Sequence, residues 1–213
     1  MTWQIAYALK NIAEGWQSSR ANYIGGDYIM IATDGRPDVL AAISANRAMS
    51  LEDVQAYHSE KPELDFLCGY QTVCIWDGAA IDFSQANGFG WGSFGTLGSA
   101  ILDGNVHTAQ HKTFAFSDRL IRQFGKVKTL EREFDRVYKI ELWGEKTFRV
   151  AMLADYEPTA DGVRTTWENF GPVDVIWNIN PNGKPTRSAL QAGAELGCKV
   201  VKWDDFKDFM KAL

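Results

Sequence analysis

The sequence is poor in cysteine, histidine and proline, and it has no long apolar run. Three cysteines among 213 residues are few and odd in number, so a disulfide framework is not expected and reduced thiols in a cytoplasmic location are predicted. No apolar stretch approaches the ~20 residues that a membrane span needs. The N-terminus lacks the basic and apolar regions of a secretory signal. These absences argue against a disulfide-stapled scaffold and predict a protein without a membrane span.

The familiar catalytic and nucleotide-binding motifs are also missing. There is no G-x-S-x-G elbow and no H-E-x-x-H pair. The stretch 87–98 has five glycines but neither nucleotide fingerprint, so a turn anchored by its aromatic residues is predicted, with a ligand loop as the alternative. Cys68 and Cys74 are spaced too widely for a standard zinc site, although His107 and His111 follow later. No metal site and no cofactor are predicted.

Charge is unevenly distributed along the chain. The net charge is −5 overall, yet residues 112–149 carry 10 basic and 6 acidic side chains. Because nucleic acids bind basic surfaces, the overall charge disfavours a nucleic-acid partner, and only this middle segment opposes that conclusion. A mixed-charge face exposed to solvent is the alternative for the segment.

The first half has a mixed pattern of apolar periodicity and turn signals. We predict helices at Gln4–Trp16, Val39–Ile43, Leu51–His58 and Asp118–Phe124, the last capped by Ser117. Strands are predicted at Tyr28–Ala32, at Gln71–Trp76 and Ala80–Phe83 around an Asp77-Gly78 hairpin turn, and at Ser99–Leu102 and Thr113–Phe116. The region is therefore expected to be mixed and partly antiparallel, and rich in glycine and aromatic residues.

The last third has a clearer pattern. After a hairpin at Val137–Leu142 and Thr147–Leu153, strands alternate with helices, namely Phe148–Ala154, Gly162–Phe170, Val173–Ile179, Thr186–Leu196, Lys199–Trp203 and Asp204–Leu213. Alternation of this kind predicts parallel strands covered by helices. The fold class is α/β (or α+β), with a C-terminal βαβαβα unit. No internal repeat or linker is evident, so one domain over 1–213 is predicted, with 1–111, 112–145 and 146–213 as the subdivision.

One loop places several ligand-capable groups at the start of a helix. Ligands bind beyond the carboxyl ends of parallel strands, and helix N-termini attract anions. The candidate ligand-binding residues, which should share one sheet edge with Asp155, are Asn178, Asn180, Lys184, Thr186 and Arg187. The alternative is a well-made turn, because turns use the same residue types.

The tail also resembles two families. The pattern Thr186-x2-Ala189-x3-Gly193-x3-Gly197-x2-Val200 is similar to the end of Mrr-type restriction nucleases of the PD-(D/E)XK superfamily, and to the second half of a BRCT module. The first resemblance implies a metal-dependent hydrolase with an acid and Glu-x-Lys on neighbouring strands. Here Asp135, Glu141 and the pair Glu145-Lys146 lack that spacing. The second implies a phosphate-gripping lysine, which the penultimate helix does not have.

The sequence therefore favours a non-catalytic protein that recognises a partner protein or a small anionic ligand at the carboxyl edge of its parallel strands. One alternative is a nuclease-like enzyme acting on nucleic acid, with Asp155 and Glu141 as catalytic candidates and a divalent metal as its requirement. A structural subunit of a larger assembly, including a homo-oligomer, is the third possibility, which the aromatic content favours.

Overall fold

The computed structural model describes every residue from Met1 to Leu213. The chain forms two compact units, which we call unit 1 (Met1–His111) and unit 2 (Lys112–Leu213). None of its helices has the length and apolar character needed to cross a bilayer.

Unit 1 is a mixed sheet with helices on both faces. Its elements are α1 (Trp3–Gly15), β1 (Ser19–Gly25), β2 (Tyr28–Thr33), β3 (Val39–Ser44), β4 (Ala48–Met49), α2 (Leu51–Glu60), β5 (Phe66–Gly69), β6 (Ile75–Trp76), α3 (Gly78–Ala86), β7 (Gly90–Ser93) and α4 (Phe94–Asp103), followed by a 3₁₀ turn. The sheet order is β1-β2-β3-β5-β7. The first three strands are antiparallel, and β3, β5 and β7 run parallel.

Unit 2 has the same plan. Its elements are α5 (Lys112–Arg122), β8 (Val127–Phe134), β9 (Val137–Leu142), β10 (Thr147–Leu153), α6 (Ala160–Phe170), β11 (Val175–Asn178), α7 (Arg187–Leu196), β12 (Lys199–Val201) and α8 (Asp205–Ala212). The order β8-β9-β10-β11-β12 again joins an antiparallel meander to two parallel strands. The predicted α/β class and the βαβαβα unit from β10 to α8 are confirmed.

The two units match residue by residue without a gap. Adding 109 to a residue number in unit 1 gives the equivalent position in unit 2, so that β2 at 28–33 corresponds to β9 at 137–142, and β5 at 66–69 to β11 at 175–178. Hydrogen bonds repeat with the same offset. Asp65 Oδ2 accepts from the Leu40 amide, and Asp174 Oδ2 from the Arg149 amide, both at 2.7 Å. The chain therefore contains the same order of helices and strands twice, once in each unit.

Sequence identity does not reveal this repeat. Between 1–104 and 110–213 only ten positions are identical. What the units share is the alternation of buried positions. In β11, for example, Val175 and Trp177 face α5 and α8, while Ile176 and Asn178 point to the opposite face. A sheet needs only apolar groups of suitable size at such positions, so the pattern persists where the residues change.

Several sequence predictions for the first half are wrong. The run at Val39–Ile43 is the central strand β3 rather than a helix. Its side chains are buried alternately in the cores on the two faces of the sheet, and a short apolar run fits either element. Asp77-Gly78 starts helix α3 instead of turning a hairpin, so Ala80–Phe83 is helical. Ser99–Leu102 and Thr113–Phe116 lie in helices as well.

Two further details of the first half differ from expectation. Ser117 lies inside α5 and donates a hydrogen bond to the Thr113 carbonyl oxygen instead of capping the helix. The glycine-rich stretch 87–98 forms β7 and the start of α4. A Cβ at Gly90 would collide with the carbonyl oxygen of Val106, so this glycine lets two backbone segments approach closely.

Candidate functional site

The loop after β11 is built by side chains that bind its own backbone. Asn178 Oδ1 accepts from the Asn180 amide at 3.1 Å, and Asn180 Oδ1 accepts from the Asn182 amide at 3.1 Å. Asn180 Nδ2 donates to the carbonyl oxygen of Ala154 at 3.3 Å, which fixes the loop to the end of β10. These are turn-forming interactions of the kind that asparagine provides.

The other residues expected at this edge are also brought there. Thr186 caps α7 by accepting from the Ala189 amide at 3.2 Å, and its hydroxyl donates to the Pro158 carbonyl oxygen at 2.9 Å. The Asp155 carboxylate lies near Gly162, at the start of α6. Lys184 and Arg187 are exposed on either side of Thr186. The structure thus places all six predicted residues around the carboxyl ends of β10 and β11.

Unit 1 provides an internal control for this edge. Gln71, the counterpart of Asn180, donates from its side-chain amide to the Ala45 carbonyl oxygen at 3.2 Å, which is the equivalent bond. Asp77 stands at the N-cap of α3, as Thr186 stands at that of α7. Gln71 therefore fixes its loop as Asn180 does, whereas Asp77 holds the N-cap position without a side-chain hydrogen bond. Asn178, Lys184 and Arg187 have no polar counterpart, because Gly69, Ile75 and Gly78 replace them.

Asn178 differs from its counterpart, Gly69, in which position carries the side chain that fills the space at the end of the strand. In unit 1 the space above Gly69 is filled by Cys74, whose Sγ lies 2.6 Å from where a Cβ on Gly69 would stand. In unit 2 the side chain sits on the strand residue, and Gly183, the counterpart of Cys74, leaves room for it. The Nδ2 atom of Asn178 is buried and has no hydrogen-bond partner.

The two catalytic candidates lie near opposite ends of β10. Glu141 belongs to β9 and pairs with Thr147, the first residue of β10, whereas Asp155 lies two residues beyond its last residue, Leu153. At about 3.3 Å per residue, the intervening strand separates them by roughly 20 Å. Lys128 and Thr129 donate hydrogen bonds to the Glu141 carboxylate and lower its pKa. Glu141 is therefore held in an ion pair on a strand surface.

No group of three or more His, Cys, Asp or Glu side chains is arranged to hold a metal ion. Cys68 and Cys74 are both buried in unit 1, and burial raises the pKa of the Cys68 thiol far above its usual range. His107 Nδ1 lies 3.6 Å from Asp65 Oδ1. The nuclease-like alternative thus gains no converging carboxylates from this structure, and it stays a prediction.

The prominent feature that the sequence did not single out is a row of aromatic rings in unit 2, which we call the aromatic column. It consists of Phe116, Trp203, Trp177, Phe206 and Phe209. Successive ring centroids lie 5.8, 5.2, 4.2 and 6.2 Å apart, and all four pairs are stacked. Trp177 is the residue before the end of β11, and Trp203 follows β12 by two residues. The column therefore reaches the carboxyl ends of the parallel strands.

A cavity of about 360 Å³ opens beside the aromatic column. Its walls come from α5, from β11 and from the segment that leads into α8. They are formed by Leu120, Ile121, Gln123, Phe124, Trp177, Trp203, Asp204, Phe206, Lys207 and Met210. The walls are mainly apolar and aromatic, with three polar side chains, and the volume lies within the range of small-molecule sites.

Sequence reasoning missed this cavity because its walls are far apart in the chain. The signal that could have revealed it is the spacing of Trp203, Phe206 and Met210, which places Phe206 and Met210 on one face of α8 and Trp203 just before that helix. That spacing is also what an ordinary core helix shows, so only the fold distinguishes a cavity wall from a core helix.

Searches of family models, curated proteins and solved structures found no match to this chain.

Proposed function

We propose that the chain is a ligand-binding protein, and that unit 2 takes a small planar aromatic molecule in the cavity beside its aromatic column. The observation that carries this proposal is the cavity itself, which the stacked rings of the aromatic column border. Trp177 lies near the end of β11 and Trp203 just after β12, and Phe124 lines the cavity from the turn after α5. The predicted ligand residues from Asn178 to Arg187 do not line it, because Asn178 points to the opposite face of the sheet.

The walls favour a flat, apolar ligand over a polar one. Leu120, Phe124 and Trp203 are partly exposed and offer apolar surface to a ligand. Burying such surface contributes about 25 cal/mol per Å². Aromatic rings gain a further ~0.5–1.5 kcal/mol from stacked or edge-on contacts with one another. A planar molecule can make such contacts with Phe124 and Trp203 while its edges remain against aliphatic groups.

The polar groups determine which substituents the ligand can carry. Lys207 and Asp204 belong to the same wall, one basic and one acidic, and Gln123 lies in the turn directly after α5. An anionic substituent would meet Lys207, as the predicted anionic ligand requires, and a cationic one would meet Asp204. The apolar walls thus select the ring of the ligand, and Lys207 and Asp204 select the charge of its substituent.

A planar aromatic anion tests the proposal directly. Naphthalene-2-sulfonate is expected to bind at one site by isothermal titration calorimetry and to raise the midpoint of thermal unfolding by several degrees at ten times its Kd. Leu120→Trp, which fills the cavity from α5, should weaken binding at least tenfold. Lys207→Ala should weaken it about two- to fivefold, because Lys207 is exposed and an ion pair with an exposed charge is worth only ~0.2–1 kcal/mol.

Lys202→Ala serves as the matched control, since Lys202 is exposed nearby and does not line the cavity. It should bind like the unmodified protein. If Leu120→Trp and Lys207→Ala also leave the affinity unchanged, while circular dichroism shows them folded, the ligand lies elsewhere and the proposal is wrong. A comparison with 2-naphthylmethylamine shows whether Asp204 or Lys207 governs the substituent.

A second candidate function rests on Asn178. Its buried Nδ2 lacks a partner and lies beside Gly183, in the loop whose Lys184 and Arg187 are exposed. A buried donor without a partner costs about 1–3 kcal/mol, which a bound oxyanion reaching it would relieve. We therefore propose that a small anion can bind at this loop, close to the free amides of the helix N-terminus.

Inorganic phosphate is the probe for this second site. Millimolar phosphate should raise the thermal midpoint of the unmodified protein, and the gain should disappear in Lys184→Ala with Arg187→Ala. Lys146→Ala, a basic residue at the far end of β10, is the control and should retain the full gain. An equal phosphate response in all three proteins would assign the effect to general salt stabilisation and would remove the loop as a site.

A further inference from the structure

Three aromatic side chains at the surface of unit 1 lie close together, and we call them the aromatic patch: Trp3, Tyr7 and Tyr70. Trp3 and Tyr7 are four residues apart and share a face of α1, while Tyr70 directly follows β5. The ring centroid of Trp3 lies 6.3 Å from that of Tyr7 and 5.9 Å from that of Tyr70. Because these paired rings are inclined by 71° and 65°, the patch has clefts between its rings instead of one flat surface.

Tyr70 is held in place by its neighbours in unit 1. Asn11 Nδ2 donates to the Tyr70 hydroxyl oxygen at 2.8 Å. The Tyr70 ring also packs edge-on against Phe94, with the centroids 5.2 Å apart, and Phe94 in turn stacks on Trp16. A ring that is already held in this way loses little freedom when a ligand binds, which lowers the entropic cost of binding.

The architecture that the two units share does not require the rings of the aromatic patch. With the offset of 109, the counterparts of the three rings are Lys112, Phe116 and Ile179. None of these side chains is a ring with an N–H or O–H group, and Ile179 is fully buried. Polar aromatic rings at these positions are therefore a property of unit 1 alone.

Each ring of the aromatic patch carries a hydrogen-bond donor. Trp3 has its Nε1–H group and Tyr7 its hydroxyl group, and the two side chains are 51% and 57% exposed. The Tyr70 hydroxyl oxygen accepts from Asn11, so its own hydrogen is left to donate outward. The patch thus combines apolar ring faces with three donors.

Charge disfavours a nucleic acid as the partner of this patch. Residues 1–111 hold 5 basic and 12 acidic side chains, whereas nucleic acids bind basic surfaces. The only charged residues of α1 are Lys10 and Glu14, which pair with each other with Nζ 3.9 Å from Oε1. An uncharged partner that is rich in hydrogen-bond acceptors therefore fits the patch better.

We infer that the aromatic patch binds a proline-rich segment of another protein in the polyproline II conformation. Proline has no backbone N–H, and this helix makes no internal hydrogen bonds, so its carbonyl oxygens can accept from the three ring donors. Its apolar pyrrolidine rings fit clefts between aromatic side chains, and its extended shape exists before binding, so little entropy is lost. The inference concerns unit 1 and does not depend on the cavity of unit 2.

A second copy of this chain does not supply such a segment. The sequence has six prolines, and the two that are nearest to each other, Pro181 and Pro185, are four residues apart. Proline-rich ligands instead carry prolines that are adjacent or three residues apart, in keeping with the three residues per turn of the helix. The partner is therefore a different protein.

Decaproline is the probe for this inference. Isothermal titration calorimetry should find one site with a Kd on the order of 0.1 mM, as for a small and transient interface. Trp3→Ala should weaken binding at least tenfold, because the central ring and its donor are both lost. Tyr7→Phe keeps the ring and removes the hydroxyl group, so it should weaken binding about two- to tenfold, the worth of one hydrogen bond.

Trp143→Ala is the matched control, because Trp143 is 67% exposed and belongs to unit 2. It should bind decaproline like the unmodified protein. A ten-residue peptide of alternating glycine and serine has the same number of carbonyl groups without the preformed helix, and it should not bind. Trp3 and Tyr7 are exposed, so their variants should keep the thermal midpoint of the unmodified protein.

Three results would overturn the inference: no binding of decaproline, equal binding of the glycine-serine peptide, or full affinity in folded Trp3→Ala. If maltohexaose binds in place of decaproline, the patch takes a carbohydrate and the inference is wrong. Leu120→Trp closes the cavity of unit 2 and should leave decaproline binding unchanged. The failure of this inference can therefore be distinguished from the failure of the proposed function, which Leu120→Trp tests with naphthalene-2-sulfonate.

Discussion

Trp177→Ala is expected to lower the free energy of unfolding of unit 2 by about 3–5 kcal/mol, the usual cost of truncating a large buried aromatic residue. Trp177 is 2% exposed. Its ring stacks on Trp203 and Phe206, with centroids 5.2 and 4.2 Å away, so both contacts are lost together. Its Nε1 also donates to the Trp203 carbonyl oxygen at 3.3 Å. Urea denaturation followed by far-ultraviolet circular dichroism measures the change.

Trp143→Ala provides the control for this experiment. Trp143 is the same residue type in the same unit, but it is 67% exposed in the turn after β9. Its removal should change the free energy of unfolding by no more than about 0.5 kcal/mol. Similar losses from both substitutions would show that the aromatic column does not hold unit 2 together.

Asp65→Ala is expected to cost unit 1 about 2 kcal/mol, because hydrogen bonds to a charged acceptor contribute ~1.5–3 kcal/mol. The carboxylate accepts from the Leu40 amide at 2.7 Å and holds the start of β5 beside β3. Its side chain is 22% exposed, so water can replace the bond only in part. Asp174→Ala, the equivalent change in unit 2, should cost less, about 1 kcal/mol, since Asp174 is exposed.

Asparagine at either position separates the hydrogen bond from the charge. Asp65→Asn keeps an oxygen acceptor at the same place, so it should retain about half of the stability that alanine loses. Chemical denaturation of the four variants, with midpoint and slope fitted separately, measures these differences. If Asp65→Ala is as stable as the unmodified protein, the repeated bond is a consequence of the fold and not a support of it.

The unequal success of the sequence predictions has a physical cause. In the last third, almost wholly apolar runs such as Val173–Ile179 alternate with capped amphipathic segments, so local pattern and tertiary structure agree. In the first half the same arrangement of strands and helices is formed by segments rich in alanine and glycine. The stretch from Val39 to Ser44 is apolar throughout, so the spacing of its apolar residues does not distinguish a strand from a helix. Pairing with the strands on either side decides its conformation.

The sequence predicted where the loop residues of the candidate site lie, but it did not predict the cavity. Asp155, Asn178 and Thr186 share one edge because the carboxyl ends of parallel strands must meet there, and that follows from the order of elements alone. The cavity beside the aromatic column could not be predicted in the same way. It requires Phe124, Trp177 and Lys207 to meet, and these belong to three elements whose packing no local pattern specifies.

The exchange between the two loops has a consequence for how this architecture varies. In unit 1 the strand residue is Gly69 and the loop residue is Cys74; in unit 2 the strand residue is Asn178 and the loop residue is Gly183. Either change alone leaves a hole or forces an overlap, whereas the two together conserve volume. The strand residue and the loop residue therefore depend on each other. A larger side chain at one position packs well only when the other position is glycine.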